Sequence, residues 1–177
     1  HAFAKLADEY LLKWNDIHNF FPEDDYAALD VDHNNGYWLN VDYRNDPATV
    51  LWKDFLSNPD YNIENLGIYE GGFADYEYGI YRPSENSIMN DATLFYGYFN
   101  APSRWAIYQR IMKLAGEECK FEDFLAYDKK NLETLQRSST RAKVVSTRRT
   151  EGNKGVQRLC TKPIIHNYPS SDIGKHK

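Results

Sequence analysis

The sequence predicts an α+β fold that is mainly helical and rich in loops. Three observations support this prediction. Apolar residues recur at spacings of three and four in the stretches 1–14 and 103–114, which is typical of helices with one buried face. Tyr and Ile alternate with glycines over residues 66–82, which indicates a short hairpin. A polar stretch punctuated by Gly and Asn covers residues 15–45 and predicts a long loop.

The first two helices are predicted from different signals. The helix at 1–14 is predicted from four apolar residues about one turn apart: Phe3, Leu6, Tyr10 and Trp14. A second helix is predicted to begin at Pro47, because proline is favoured in a first helical turn and Asp46 can cap it. This helix is expected to stop before Pro59.

The elements of the second half follow in order. The hairpin at 66–82 leads to Pro83, and a turn is expected at 84–90. The clearest amphipathic helix is 103–114, just after Pro102, and a final helix is predicted from residue 121 to about 132.

Charge and aromatic content divide the chain near residue 128. Residues 1–128 carry a net charge of −14 and residues 129–177 one of +9, although the whole chain carries only −5. Every aromatic residue except Tyr168 precedes residue 129. We therefore predict one domain at 1–128 and a basic, poorly ordered tail at 129–177. Nucleic-acid binding is not predicted, because the basic tail lacks the aromatic residues on which bases stack.

The cysteines and the hydropathy exclude further classes of protein. Cys119 and Cys160 fall on opposite sides of the charge division, so a disulfide between them is not expected, and two cysteines cannot build a disulfide framework. No run of about 18 apolar residues occurs, so no membrane span is predicted. The sequence does not indicate which oligomeric state the protein adopts.

Two islands of sequence point to a zinc peptidase. The first reads His1-Ala-Phe-Ala-Lys-Leu-Ala-Asp-Glu-Tyr10, and the second, at 79–90, reads Gly-Ile-Tyr-Arg-Pro-Ser-Glu-Asn-Ser-Ile-Met-Asn. They resemble two motifs of the IgA-cleaving metallopeptidases, which are secreted, metzincin-like zinc endopeptidases. The first family motif runs His-Glu-Phe-Gly-His-x-Phe-x-x-Leu-Ala-Asp-Glu-Tyr, and the island matches it from the fifth position onward. Weaker matches at 40–55 and 98–105 extend the resemblance over about residues 1–128.

The resemblance implies a Zn²⁺ ion held by two histidines and an acidic residue. His1 corresponds to the second histidine of the motif, and Asp8 is the predicted third ligand, with Glu9 as the alternative. Met89 corresponds to the methionine of a Met-turn, where it would form a hydrophobic floor beneath the histidines without binding zinc.

The predicted ligands require the helix to break between them. In a straight helix His1 and Asp8 would lie about 10 Å apart along the axis, too far for zinc bonds of about 2.0 to 2.2 Å. Metzincins solve this problem with a glycine that ends the helix. This sequence has Ala4 and Lys5 where such a glycine would fall, and the helix is expected to break after about Leu6.

The family resemblance also implies fold and activity. The predicted architecture is the lower subdomain of a metzincin-like zinc peptidase, with the upper sheet absent from this chain. The first His and the catalytic Glu of the motif have no match, and no complete His-Glu-x-x-His occurs in the chain. We therefore expect a fragment of a zinc metalloendopeptidase that is inactive alone, acts on protein substrates when whole, and is secreted or located at the cell surface or in the periplasm. Tyr81, Tyr96 and Tyr98 are candidates to stabilise an oxyanion, and the sequence does not choose among them.

Two alternatives remain open at this point. The acidic, aromatic composition also suits a non-enzymatic module that binds glycans or proteins at the cell surface. A second metal site is an option at Asp30-Val-Asp-His-Asn-Asn-Gly36 followed by Asp42, since alternating oxygen ligands are typical of calcium loops. The glycine, however, falls one place later than an EF-hand requires, which favours an ordinary polar turn.

Overall fold

The computed structural model describes residues 1–10, 19–90 and 97–151, with side chains as far as residue 138. Within these ranges the protein has an α+β fold with four α-helices and one two-stranded antiparallel sheet. Two 3-10 turns, Glu23–Asp25 and Pro59–Glu64, connect these elements. The helices and strands are α1 (Tyr26–Asn34), α2 (Lys53–Leu56), β1 (Tyr69–Gly72), β2 (Tyr76–Arg82), α3 (Ala101–Ala115) and α4 (Phe121–Glu151).

The predicted hairpin is confirmed as β1 and β2. Tyr69 pairs with Arg82 at the open end, and Gly72 pairs with Tyr76 beside the turn. Gly72 has a φ of +136°, and a Cβ atom there would lie 3.5 Å from the Cα of Glu9. The 3.5 Å distance is an ordinary contact, so it is the positive φ, which residues other than glycine rarely adopt, that favours glycine here.

The first ten residues do not form the predicted helix. They make a single turn, in which the Lys5 N–H donates to the carbonyl oxygen of His1 at 2.8 Å, and Lys5 then takes a φ of +56°. Beyond the turn the backbone bonds to other parts of the fold, beginning with the Trp38 N–H, which donates to the Lys5 carbonyl at 2.7 Å. These tertiary bonds replace the helical ladder. Residues 11–14 of the predicted helix lie outside the described residues.

The strained backbone at Lys5 gives a testable prediction. A non-glycine residue at positive φ costs about 1 kcal/mol or more. We expect Lys5→Gly to raise the free energy of unfolding by about 0.5 kcal/mol, because relief of this strain exceeds the added freedom of the unfolded chain. Lys53→Gly is the matched control and should destabilise, since Lys53 begins α2. Urea unfolding followed by circular dichroism measures both changes, and a loss of stability in Lys5→Gly would contradict the interpretation.

Helix α1 lies inside the segment predicted to be a long loop. Leu29 and His33, one helical turn apart, are its buried residues, while Val31 is exposed, so the apolar residues of the helix do not form one buried stripe. The helical period in the sequence is therefore weak, and tertiary packing decides the structure here. Residues 15–18 of the predicted loop lie outside the described residues.

The acidic residues of the suggested calcium loop bind an arginine in this structure. The Arg44 guanidinium donates to Asp42 through Nη1 at 3.0 Å and to Asp30 through Nη2. Asp42 is fully buried and also accepts from the Leu51 N–H at 2.9 Å. The sequence Asp30–Asn34 is helical. This arrangement differs from a calcium loop, in which the oxygens converge on the ion.

His33 gives a prediction about pH. Burial lowers the pKa of its imidazole, with Arg44 adding to this effect and Asp42, Asp30 and a weak contact with the Val41 backbone opposing it. Neither ring nitrogen has a hydrogen bond of ordinary geometry among the described residues. The unfolded chain therefore takes up a proton at His33 before the folded protein does, so the free energy of unfolding should fall as pH drops below about 6.5.

The variant His33→Gln should flatten this dependence, because the other titrating groups stay the same. Urea unfolding of both proteins between pH 7.5 and pH 5 gives the difference curve. An identical pH dependence in the two proteins would show that the pKa of His33 does not change on folding.

The helix predicted from Pro47 is shorter than expected. Turns occupy the first positions, where the Val50 N–H donates to the Asp46 carbonyl at 2.9 Å, and α2 itself covers only Lys53–Leu56. The side chain of Trp52 is fully buried, and its Nε1 donates to the carbonyl of Gly67 at 2.8 Å. This bond anchors the start of α2 to the segment that precedes β1.

Helix α3 confirms the predicted amphipathic helix and begins two residues earlier. The side chain of Asn100 accepts from the Ser103 N–H at 3.0 Å and caps the helix, with Pro102 in the first turn. Gly116 ends the helix with a φ of +72°. Asn100 therefore fixes where α3 begins.

Helix α4 does not stop near residue 132 as predicted. It continues to Glu151, so the predicted boundary between residues 128 and 129 falls inside a helix. Asp128 and Leu132 are both buried. Residues 1–138 form one compact unit, and of the unit that begins at Ser139 only the helix as far as Glu151 is described. The remainder of the predicted tail, 152–177, lies outside the described residues.

Three buried clusters form the core of residues 1–138. The first joins α2, α3 and α4 through Val50, Trp52, Phe55, Tyr61, Ala101, Phe124 and Leu132. The second packs against the hairpin and consists of Ala7, Phe21, Leu29, Val41 and Ile80. The third joins Ala4 and Leu6 of the first ten residues to Met89 and Ala106.

Cys119 is exposed and unpaired, and none of the described helices is long and apolar enough to span a membrane.

Candidate metal centre

His1 and Asp8 lie side by side. Nε2 of His1 is 3.0 Å from Oδ1 of Asp8, and Nδ1 of His1 is 3.2 Å from the carbonyl oxygen of Leu6. The side chains are 60% and 33% exposed, so both reach solvent. The turn at Lys5 reverses the chain and produces this contact. A straight helix could not bring these side chains together.

The contact at Leu6 fixes the orientation of the imidazole. A carbonyl oxygen only accepts hydrogen bonds, so Nδ1 carries a proton in this arrangement. Nε2 faces a second acceptor, the Asp8 carboxylate, so in the described arrangement it also donates a hydrogen bond, and a bound metal ion would take the place of this proton. A hydrogen bond from Nδ1 to a backbone carbonyl is a common way in which metal-binding histidines are oriented in proteins.

Tyr10 makes the third contact at this site. Its hydroxyl hydrogen-bonds to Asp8, and the negative charge of Asp8 raises the pKa of Tyr10. Tyr10 is exposed, at 37% of its surface. Its interaction with Asp8 therefore takes place at the protein surface.

Glu9 points into the protein. Its side chain is fully buried, and two of the donors to its carboxylate are the side-chain amide of Asn40, at 2.8 Å, and the hydroxyl of Ser87, at 2.5 Å. The amide of Asn100 lies 3.2 to 3.3 Å from both oxygens, and the hydroxyl of Ser103 lies 3.4 Å from one of them. Glu9, the alternative ligand in the sequence analysis, is thus turned away from His1 and saturated with protein donors.

Burial raises the pKa of the Glu9 carboxyl, while the hydrogen bonds from Asn40, Ser87 and Asn100 and the charge of Arg82 act in the opposite direction. Four donors directed at one carboxyl group are the arrangement that a carboxylate prefers.

The turn at 84–90 lies against the first ten residues. The Glu9 N–H donates to the carbonyl of Met89 at 2.9 Å, and the Met89 N–H donates to the Ser87 hydroxyl at 3.2 Å. The Met89 side chain is 5% exposed and packs with Ala4 and Leu6. Met89 therefore supports the turn that brings His1 towards Asp8.

No further metal ligand joins the pair within the described ranges. No group of three or more His, Cys, Asp or Glu side chains that could hold a metal ion occurs among residues 1–10, 19–90 and 97–151. His33 is buried in α1, and His18, His166 and His176 lie outside the described residues.

Two of the three tyrosines considered for an oxyanion role lie among the described residues. The Tyr81 hydroxyl accepts from the side-chain amide of Asn45 at 3.3 Å. Burial raises the pKa of Tyr98. Tyr96 lies outside the described residues. None of the contacts described for Tyr81 and Tyr98 connects them to His1 or Asp8.

Comparison with models of known protein families finds no match to this chain. A search of curated proteins likewise finds no match.

The residues around Glu9 were not predicted from the sequence. Asn40, Ser87 and Asn100 are separated from Glu9 by 31, 78 and 91 positions, so no local pattern connects them. Only Asn100 carried a usable signal, because Asn followed by Ala-Pro is a good helix start.

Proposed function

We propose that this chain forms part of the catalytic domain of a secreted zinc metalloendopeptidase, similar to the IgA-cleaving family, that hydrolyses protein substrates. The observation that carries the proposal is the contact between His1 and Asp8. These two side chains are the ones that the family motif marks as ligands, and they meet although seven positions separate them.

The two side chains that this chain supplies, His1 and Asp8, are suited to binding zinc. Two ligands about 2.1 Å from one tetrahedral ion are about 3.4 Å apart, and the observed separation of 3.0 Å needs only a small adjustment to reach this value. An imidazole nitrogen and a carboxylate oxygen are both ordinary zinc ligands. The motif's first histidine, which has no match in this sequence, would supply the missing protein ligand.

The chain's own residues would orient and support the site. Leu6 holds the His1 ring by its carbonyl, Tyr10 holds the Asp8 carboxylate, and Met89 packs beneath the turn between the two ligands. When bound, zinc would polarise the scissile carbonyl and lower the pKa of a water molecule. The motif glutamate that would take the proton from this water has no match in the sequence, so no proton-transfer step is assigned to this chain.

Zinc content tests the proposal. The chain as printed is compared with a motif-completed chain, in which His-Glu-Phe-Gly directly precedes His1. The four added residues supply the missing histidine and glutamate and also move the free α-amino group away from the His1 ring. We expect about one zinc per molecule in the motif-completed chain after dialysis, and much less in the chain as printed. Absence of zinc from both would contradict the proposal and favour a non-enzymatic binding module.

A further inference from the structure

The carboxyl group of Glu9 is the hydrogen-bonding centre of the region behind the metal ligands. Each of its oxygens accepts at least two hydrogen bonds, and its side chain is fully buried. A buried carboxyl group is tolerated only when its oxygens are hydrogen-bonded. In this protein the partners come from three separate parts of the chain.

Three of the partners of Glu9 make further hydrogen bonds. Asn40 exchanges two hydrogen bonds with the backbone of Ala7, of 2.8 and 3.0 Å, and so holds residues 1–10 a second time. Ser87 accepts from the Met89 N–H. Asn100 caps α3 and also donates to Ser84 at 2.9 Å. The carboxylate therefore connects residues 1–10 to the turn at 84–90 and to the start of α3.

Glu9 directly follows Asp8, so the hydrogen bonds of Glu9 bear on the position of Asp8. Neighbouring side chains of an extended segment point to opposite sides, and here Asp8 faces His1 while Glu9 faces the interior. The backbone between them is held on two sides, because the Asp8 carbonyl accepts from the Phe73 N–H and the Glu9 N–H donates to Met89. A displacement of the Glu9 backbone would reach Asp8 through the peptide bond that they share.

We propose that Glu9 is a positioning residue, whose buried carboxylate holds Asp8 at the distance from His1 that a metal ion requires. This inference rests on the proposed function, in which His1 and Asp8 are ligands. Glu9 touches neither the metal nor the substrate and acts through the backbone of Asp8. Loss of a group that hydrogen-bonds directly to a metal ligand typically weakens metal binding by about 10-fold to 100-fold, and we expect the lower end of this range for Glu9, which acts through the backbone.

The test uses Co²⁺ as a spectroscopic probe in the motif-completed chain. Cobalt affinity and the visible absorption bands of the bound ion are measured for the parent, Glu9→Gln and Asp8→Asn. Asp128→Asn is the matched control, because Asp128 is also buried and accepts from the Tyr61 hydroxyl and from Arg104, with no described hydrogen bond to Glu9 or its partners. We expect Glu9→Gln to bind Co²⁺ about 10-fold more weakly, with altered bands. Asp128→Asn should lower the melting temperature and leave affinity and bands unchanged.

A second variant covers the case in which Glu9→Gln does not fold. Ser87→Ala removes one donor and leaves Asn40 and Asn100 on the carboxylate, so it should weaken cobalt binding by a smaller factor. Parent-like cobalt affinity and bands in both Glu9→Gln and Ser87→Ala, or in Ser87→Ala alone if the first does not fold, would overturn the positioning role.

The same measurements test the proposed function separately from the positioning role. If Asp8→Asn binds Co²⁺ like the parent, or if the parent does not bind it, His1 and Asp8 are not ligands and the positioning role falls with them. If Asp8→Asn weakens binding while Glu9→Gln and Ser87→Ala do not, only the positioning role is overturned.

Discussion

Replacing Arg104 by methionine should lower the free energy of unfolding by about 3 to 5 kcal/mol. Arg104 is 13% exposed, and its Nη2 donates at 2.6 Å both to Glu64 and to Asp128, whose side chains are fully buried. Asp128 also accepts from the Tyr61 hydroxyl at 3.1 Å. Removal of the guanidinium leaves two buried carboxylates without their cation, which is the costly way to break a buried ion pair.

The control for this prediction is Arg137→Met. Arg137 pairs with Glu133 on the same helix at 3.4 Å, but the two side chains are 82% and 61% exposed, so the change should be small. Urea unfolding at pH 7, followed by far-ultraviolet circular dichroism, measures both variants. Equal losses would show that the Arg104 network contributes no more than a surface ion pair.

Asp8→Asn should weaken zinc binding by the motif-completed chain by more than about 100-fold. The expected loss exceeds the 10-fold to 100-fold range typical of outer partners, because Asp8 would contact the ion itself. An amide oxygen lacks the charge that favours Zn²⁺, although it keeps the shape of the side chain. Competition with a fluorescent zinc chelator gives the dissociation constants.

Asp54→Asn is the control for the zinc measurement. Asp54 is an exposed carboxylate in the first turn of α2, and the same substitution there should leave the dissociation constant unchanged. If Asp8→Asn also left it unchanged, Asp8 would not be a ligand.

Local patterns predicted the parts of the fold that local interactions determine. The glycine-rich alternation before Arg82 became the hairpin, and the apolar period after Pro102 became α3. The opening segment differs because its backbone bonds are tertiary: Trp38 bonds to Lys5, and Asn40 bonds to Ala7. The spacing of apolar residues within a segment does not reveal hydrogen bonds to distant parts of the chain. It therefore predicted a helix where the chain makes one turn.

The sequence predicted only part of the candidate site. The motif pointed to His1 and Asp8, but the helix expected to break after about Leu6 does not form, and the chain instead makes one turn that ends at Lys5 with a positive φ. The separation of Asp8 from Glu9 into an exposed and a buried carboxylate was not predicted, because both are acidic residues in the same motif. Only the arrangement of Asn40, Ser87 and Asn100 distinguishes them.

Diffraction at the zinc absorption edge, from crystals of the motif-completed chain grown with zinc, tests the central claim most directly. The account predicts one strong anomalous peak within about 2.2 Å of both Nε2 of His1 and an oxygen of Asp8. A zinc peak bound elsewhere, or no peak at this pair in crystals that contain zinc, would contradict it.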